Sequence, residues 1–251
     1  MCGFAGFLQT GRVVASDAMA AVAGRMADTL LHRGPDDRGV WIDAESGIAL
    51  GHRRLSIIDL SAEGHQPMRS SSGRYVIAFN GEIYNFLELR GELDALGVAW
   101  RGHSDTEVML AAFEHWGVEG ALRRFNGMFA FALWDRDEKK LHLARDRVGE
   151  KPLYYGWCGN SFLFGSELKA LRAHPAWRAD IDRGALATYL RYGCVPAPRS
   201  IYSEIDKLAP AHYLTVSCDR AITSAPQPYW SMRVAAEKGA ADPVTGDDRA
   251  V

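Results

Sequence analysis

The chain begins MCGFAGFLQT, Met1–Thr10, and the reading of this stretch decides the rest. Cys2–Gln9 alternates in part and ends at Thr10-Gly11, which predicts a short buried strand. The cysteine directly after the initiator methionine has two readings. As a small apolar residue opening a buried strand it would simply pack, because free cysteine behaves as a hydrophobe. As a mature N-terminus, uncovered when methionine is trimmed from before a small side chain, it would carry a thiol and a free α-amine on one carbon. Their reference pKa values, about 8.5 and about 7.7–8.0, pair a nucleophile with a base of matched strength. Position alone leaves both readings open.

Further strands are expected at Gly39–Asp43, Ile48–His52 and Tyr75–Phe79 (YVIAF). Tyr84–Leu96 reads as a helix with Phe86, Leu89, Leu93 and Leu96 on one face, stopped by Gly97. A second helix fits Asp105–Trp116, with Val108, Ala112, Phe113 and Trp116 facing inwards. Asn126-Gly127 then turns the chain into MFAFALWD, which is apolar on both alternating faces, as a strand covered on both sides would be. KLHLARD, LYYGW and FLFGSE follow as short strands, and Asp182 is placed to cap a helix through Arg191. Strands, two helices and more strands, without regular βα alternation, argue for packed sheets with helices outside, an α+β layered architecture. From Ser217 the composition changes to SAPQPYW and AAEKGAADPVTGDD, which reads as a linker or tail with weak structure of its own.

Bulk properties exclude several classes. The length of 251 residues allows one large domain with an appendage, and 47% hydrophobic content suits a soluble core. A net charge of −2 shows no bias towards nucleic acid or anionic membrane. The longest apolar run, Met128–Trp134, is too short to span a bilayer, and no secretory leader is visible. Cys2, Cys158, Cys194 and Cys218 lack CxxC spacing and the histidines form no HxxxH pair, so no metal site is expected. A reducing cytoplasm is the default compartment. No GxGxxG or Walker loop follows any strand, which leaves a nucleotide binder without a phosphate cradle.

Four stretches remain: HRGPDD (His32–Asp37), GHRRLSIIDL (Gly51–Leu60), FNGEIYN (Phe79–Asn85) and HSDTE (His103–Glu107). Each has a plain reading. RGPDD is a good turn, Asn85 and Glu88 are spaced like a capping box, and so are Ser104 and Glu107. Arg54 could be a surface arginine.

Together with Cys2 these stretches, followed by FNGMFAFALWD, ARDRVGEKPLYY and FGSELKAL, resemble the class II glutamine amidotransferase domain, specifically the N-terminal half of glutamine-dependent asparagine synthetases. The ordered matches cover Cys2 to Leu214. The resemblance implies the four-layer αββα sandwich of N-terminal-nucleophile hydrolases. It implies hydrolysis of the glutamine side-chain amide through a γ-glutamyl thioester on Cys2, whose α-amine relays the proton. The oxyanion donors would be the Asn80 side-chain amide and the Gly81 N–H. Arg54 would hold the α-carboxylate of L-glutamine, Asp105 and Glu82 its α-ammonium, and the Leu55-Ser56-Ile57-Ile58 backbone would lie near the amide. In the family, RDRVGEKPLYY and GSELKAL lie towards the partner synthetase domain, and their plain reading is a structural loop and strand.

The same resemblance divides the chain into a glutaminase domain, residues 2–216, and a linker or tail, residues 217–251, leading to an ATP-dependent synthetase domain. No SGGxDS phosphate loop occurs here, so this chain is expected to need no cofactor, with ATP and Mg²⁺ used only in the missing domain, in cis or in trans. The tail's Tyr229-Trp230 pair fits an interdomain connection and favours an excised part of a longer enzyme. Aspartate is the default acceptor, though related synthetases amidate other carboxylates. A homodimer is compatible with the resemblance. Pro210-Ala211 stands where the family more often has Pro-Gly, which bears on the local turn. Two alternatives stay in view, an N-terminal-nucleophile amidohydrolase acting on another amide and a catalytically silent scaffold. The pairing of Arg54 with Asp105 suits an amino-acid head, and the intact Cys2, Asn80, Gly81 and Asp105 speak against a retired site.

Overall fold

The structure is a computed structural model that describes residues 1–11, 15–178, 180–218 and 224–242. Two antiparallel sheets stack face to face between two helical layers. The first sheet contains β1 (Gly3–Gln9), β2 (Asp37–Asp43), β3 (Ile48–Arg54), β8 (Tyr154–Cys158), β9 (Ser161–Gly165) and β10 (Asp206–Lys207), in the order β10-β8-β9-β1-β3-β2. The second contains β4 (Met68–Arg69), β5 (Tyr75–Ile83), β6 (Gly127–Asp135), β7 (Lys140–Arg145), β11 (His212–Ser217) and β12 (Gln227–Pro228), in the order β12-β11-β7-β6-β5-β4. The helices are α1 (Ser16–Asp28), α2 (Phe86–Asp94), α3 (Asp105–Arg124), α4 (Leu168–Arg172), α5 (Arg183–Tyr192) and α6 (Met232–Ala241).

Side-chain alternation explains the layering. On β6, Ala130, Ala132 and Trp134 point between the sheets, where they meet Phe4, Leu8, Ile48 and Leu50 of the first sheet. Phe129, Phe131 and Leu133 point the other way, onto α2 and α3 through Leu89, Leu93, Val108 and Phe113. On β1 the outward Ala5 and Phe7 pack beneath α1 and α4, against Met19, Ala23, Met26, Ala170 and Leu171. Both sheets are covered on both faces, which is why β1 and β6 carry apolar residues at almost every position. The fold class is therefore the expected αββα sandwich.

Local differences have local causes. Helix α1 lies on the first sheet and has no counterpart in the expected elements. Helix α2 is shorter than Tyr84–Leu96, and Leu96 is exposed in the turn after it. Asn85 does not cap α2; its side chain donates to the Arg124 carbonyl (3.1 Å) and accepts the Asn126 N–H (2.9 Å), tying the end of α3 to the start of β6. The expected helix Asp105–Trp116 is the first part of α3; Gly117, at φ 68° and ψ 173°, breaks the helical path there, and a second helical stretch runs on to Arg124. Ser104 does cap α3 through the Glu107 N–H (3.2 Å), while the Glu107 carboxylate takes the N–H groups of Arg101 and Gly102. Asp182 caps α5 by accepting from Gly184 and Ala185.

Ala211 sits in the left-handed region at φ 59°, with its N–H on the Asp146 carbonyl and its carbonyl on the Tyr229 N–H. Glycine adopts that conformation freely, whereas alanine holds it at a cost. Beyond Ser217, in the stretch read as a tail, Gln227–Pro228 pairs with β11, Tyr229 is buried, and its hydroxyl donates to the Arg145 carbonyl (2.9 Å). Ser231 caps α6, whose residues are exposed. Residues 219–223 and 243–251 of that stretch lie outside the described residues. Among the described residues no helix is long and apolar enough to cross a membrane.

Burial depresses three histidines, His52, His142 and His174, each to about 4. A histidine kept neutral in the fold but free to protonate when unfolded contributes stability above about pH 6.5 that is lost as the pH falls towards 4. His52 alone, fully buried, accounts for about 3 kcal/mol. Urea unfolding followed at pH 7 and pH 4.5 is expected to show a marked loss of stability at the lower pH.

Candidate active site

The first residues of β1 emerge at one end of the gap between the sheets, and a cleft opens there. Cys2, Arg54, Leu55, Ile57, Ile58, Asn80, Gly81, Glu82 and Asp105 all line it, brought together from the start of β1, the end of β3, the end of β5 and the first turn of α3. Ser56 does not line it; its N–H donates to Asp36 Oδ2 (2.8 Å), on the other side of the segment.

Several motifs of plain appearance hold the N-terminus in place. Arg33, from HRGPDD, donates through Nε to the Cys2 carbonyl (2.9 Å) and through Nη1 to Glu167 (2.8 Å). Ser166 and Phe4 bond reciprocally, so FGSEL clamps the start of β1 from the opposite side. A Cβ at Gly34 would overlap the Arg53–Arg54 backbone, so only glycine lets this turn lie against the end of β3.

Cys2 Sγ accepts the Leu55 N–H (3.3 Å) and lies 3.6 Å from the Leu55 carbonyl. Burial pushes the thiol pKa up, against the opposing pull of the Leu55 N–H, the N-terminal ammonium and Arg54. The thiol is therefore the resting form at neutral pH, and a nearby base is needed to activate it.

The strand register fixes the opposite wall. Phe129 on β6 turns its N–H to Asp146 Oδ2 (3.2 Å) and its carbonyl to the Asp146 N–H (2.8 Å), away from β5. Gly81, paired with Phe129, therefore turns its own N–H outwards from the ladder. Phe79 and Ile83 share that edge and donate to Gln66 Oε1 (2.7 Å) and Asp105 Oδ2 (3.0 Å). Between them, no side chain among the described residues takes the Gly81 N–H. A Cβ at Gly81 would overlap the Met128 carbonyl and the Phe129 backbone, so the approach to β6 requires glycine. Asn80 alternates to the inter-sheet side, is 1% exposed, and its Nδ2 has no hydrogen-bond partner among the described residues. A buried amide left without a partner costs free energy unless a ligand completes it.

Asp105 is 5% exposed, and burial raises its pKa to about 6; the Glu82 charge adds to this while the Ile83 and Thr106 N–H groups oppose it. Arg54 is almost buried. Its Nη1 donates to the Ser61 carbonyl (3.1 Å) and its Nη2 to the Asp59 carbonyl, so it also fixes the loop that follows it. Gly64 makes room for that guanidinium, since a Cβ there would overlap it.

Sequence reasoning missed Gln66, Asp59, Gly64, Thr106, Met128 and Lys151, which also line the cleft. Gln66 fixes β5 from outside the ladder and Asp59 bonds both Ser61 and the His103 N–H. Asp59, Thr106, Met128 and Lys151 lie inside the quoted stretches, but residue type alone gave them no role, and Gln66 and Gly64 stand outside those stretches. Among the described residues no group of three or more His, Cys, Asp or Glu side chains is arranged to hold a metal ion.

An antiparallel αββα sandwich with a cysteine at the mouth of its first strand has the architecture of the N-terminal-nucleophile hydrolases. The chain belongs to the glutamine amidotransferase domain family, which it matches over residues 1–230. It is 41% identical over 222 residues to the glutamine-hydrolysing asparagine synthetase 3 of Bacillus subtilis, covering 87% of this chain and 35% of that protein. It is also 32% identical to amidase chry2 of Gibberella zeae, covering 92% of this chain and 34% of that protein. The glutamine phosphoribosylpyrophosphate amidotransferase of B. subtilis, solved with ADP and GMP, shares the fold at a TM-score of 0.65 and 19% identity, over 92% of this chain and 50% of that one. The chain thus spans about a third of the length of these curated relatives.

Asp105 gives a pH-dependent expectation. Because its pKa is raised from 3.8 to about 6, it is ionised at neutral pH at a cost of about 3 kcal/mol to the ligand-free fold. This is opposite in sign to the histidines: the carboxylate is stabilising to lose, and stability falls as pH rises from about 4 to about 6. Asp105→Asn is expected to raise the urea midpoint at pH 7. If Asp105 receives the substrate ammonium, the same variant raises KM for glutamine by roughly 10- to 100-fold, and wild-type KM climbs below about pH 6. Steady-state kinetics from pH 5 to 8 on both proteins check this.

Proposed function

We propose that this chain hydrolyses L-glutamine to glutamate and supplies the ammonia to an ATP-dependent synthetase portion lying outside it. The observation that carries this reading is the unpartnered Asn80 amide, buried beside the outward Gly81 N–H and facing the same cleft as Cys2. Both groups border the cleft, and neither has an acceptor among the described residues.

In this reading removal of Met1 frees the Cys2 α-amine. The amine takes the thiol proton, directly or through one water, as sulfur attacks the side-chain carbonyl carbon. The carbonyl oxygen becomes an oxyanion and accepts from Asn80 Nδ2 and the Gly81 N–H. Collapse breaks the carbon–nitrogen bond, the ammonium on Cys2 returns its proton to the leaving nitrogen, and ammonia departs. Water then attacks the γ-glutamyl thioester, giving glutamate and the free thiol. Arg54 and Asp105, with Glu82, hold the α-carboxylate and α-ammonium, so an amide without an amino-acid head lacks two of its contacts.

The names of several relatives support asparagine as the end product, with aspartate or a related carboxylate as acceptor. ATP and Mg²⁺ are assigned to that further portion, in cis or in trans, and the folded glutaminase unit to residues 2–216 with a connecting segment after it.

The test is an intact-mass spectrum before and after 6-diazo-5-oxo-norleucine, an electrophilic glutamine analogue. A single adduct on protein lacking Met1, protected by glutamine but not by butyramide, is the expected result. Trimmed protein that forms no adduct would sink the reading.

A further inference from the structure

Lys151 lines the cleft, is 4% exposed, and takes no part in the steps above. Its position is fixed by its backbone rather than its charge. The Asp146 carboxylate accepts the N–H groups of Phe129, Val148, Gly149, Glu150 and Lys151, and Arg145 Nε donates to the Lys151 carbonyl (2.6 Å). One buried carboxylate therefore ties the lysine to the strand residue paired with Gly81. The ammonium itself enters no ion pair among the described residues; its recorded partner is the thioether of Met1, 3.1 Å from Nζ. A buried cation with only a neutral sulfur beside it is an expensive arrangement unless it serves the site.

Met1 Sδ is joined to the Cys2 nitrogen through five bonds, so Nζ lies within about 9 Å of that nitrogen. When Met1 is removed the thioether goes with it, and the Cys2 nitrogen becomes an amine facing the lysine. We propose that Lys151 is a positioning residue whose buried positive charge keeps the Cys2 amine unprotonated, and so able to take the thiol proton. The inference rests on the reading of that amine as the base.

The charges around the amine bound this role. Arg33, at the Cys2 carbonyl, is paired with Glu167, whereas Arg54, held by the neutral carbonyls of Asp59 and Ser61, keeps its full charge and acts in the same direction as Lys151. Asp105 on α3, Glu82 on β5 and Asp59 in the loop after β3 line the cleft and would hold the amine protonated. Glu150 lies in the lysine's own turn, with its N–H on Asp146, whose carboxylate is occupied by backbone. Lys151 is the second cation lining the cleft, without an ion pair among the described residues, and it adds its charge to that of Arg54 in opposing these carboxylates. Two like unit charges at that separation, at the effective dielectric of a half-buried site, move a pKa by about one unit.

The experiment uses the full chain, prepared with Cys2 as its first residue by cleaving a removable leader, and ¹⁵N-labelled at cysteine. The Cys2 amine is titrated by NMR in wild type, Lys151→Met and Lys151→Arg, and compared with the urea-unfolded chain. The wild-type amine is expected to titrate about one pH unit below both Lys151→Met and the unfolded chain, with Lys151→Arg restoring the low value. The acid limb of kcat/KM for glutamine should move upwards by the same amount in Lys151→Met. A wild-type amine no lower than in the unfolded chain overturns the inference even if Lys151→Met fails to fold. Equal values in wild type and a folded Lys151→Met overturn it as well. A depressed amine in a chain that releases no ammonia from glutamine upholds the role of Lys151 and removes the glutaminase reading instead.

Discussion

Cys2→Ala is expected to abolish glutamine hydrolysis, a loss of at least about 10⁴-fold in kcat, while leaving the fold intact. The side chain removed hydrogen-bonds with the Leu55 backbone, and its core-facing neighbours Phe4 and Ala5 are untouched. Retention of Met1 should be nearly as damaging. The Cys2 nitrogen is then a peptide nitrogen with no lone pair to accept a proton, and burial already holds the thiol in its neutral form. The two experiments separate the roles. Cys2→Ala removes the proposed nucleophile, whereas retained Met1 leaves the sulfur and removes only the proposed base. Ammonia release from glutamine, measured on preparations whose N-terminus has been verified by mass, reads both.

The second large effect falls on Asn80. In the proposed mechanism Asn80→Ala removes one of two oxyanion donors, and it should lower kcat by about 10²–10³-fold with a much smaller change in KM. An amide that merely packed would behave differently. Its Nδ2 has no partner in the ligand-free protein, so deleting it should leave stability unchanged or improve it, apart from the small cavity left behind. Loss of kcat together with preserved or raised thermal stability identifies a donor held ready for a charge that forms only in the reaction. Loss of both would indicate a structural amide.

Much of the fold could be read from local pattern. The doubly apolar FNGMFAFALWD demanded cover on both faces, and β6 lies in the second sheet between the inter-sheet core and α3. Ser104 and Asp182 were legible as caps because capping needs only a side-chain oxygen two or three residues from a free N–H. Asn85 had the same spacing and bonds elsewhere, because Arg124 and Asn126, distant in sequence, offer it better partners. Helix α1 was not legible: its stripe of Met19, Ala23 and Met26 is thin, and only the first sheet beneath it gives that stripe a reason.

What the sequence by itself determined is the set of groups the proposed chemistry draws on: a cysteine able to become an N-terminus, an asparagine–glycine pair in a strand, an arginine and an aspartate. These are properties of residue type and order, and the resemblance rests on them. The tertiary structure alone decided which backbone groups are free and which charges are answered. Gly81 exposes its N–H because Phe129 is engaged by Asp146, 65 residues away in sequence from the glycine it liberates. Lys151 faces Met1 because the same carboxylate holds its turn beneath the cleft. Hydrogen-bond satisfaction and electrostatic balance depend on which distant groups the fold brings within a few ångströms of one another, and no local pattern carries that distance.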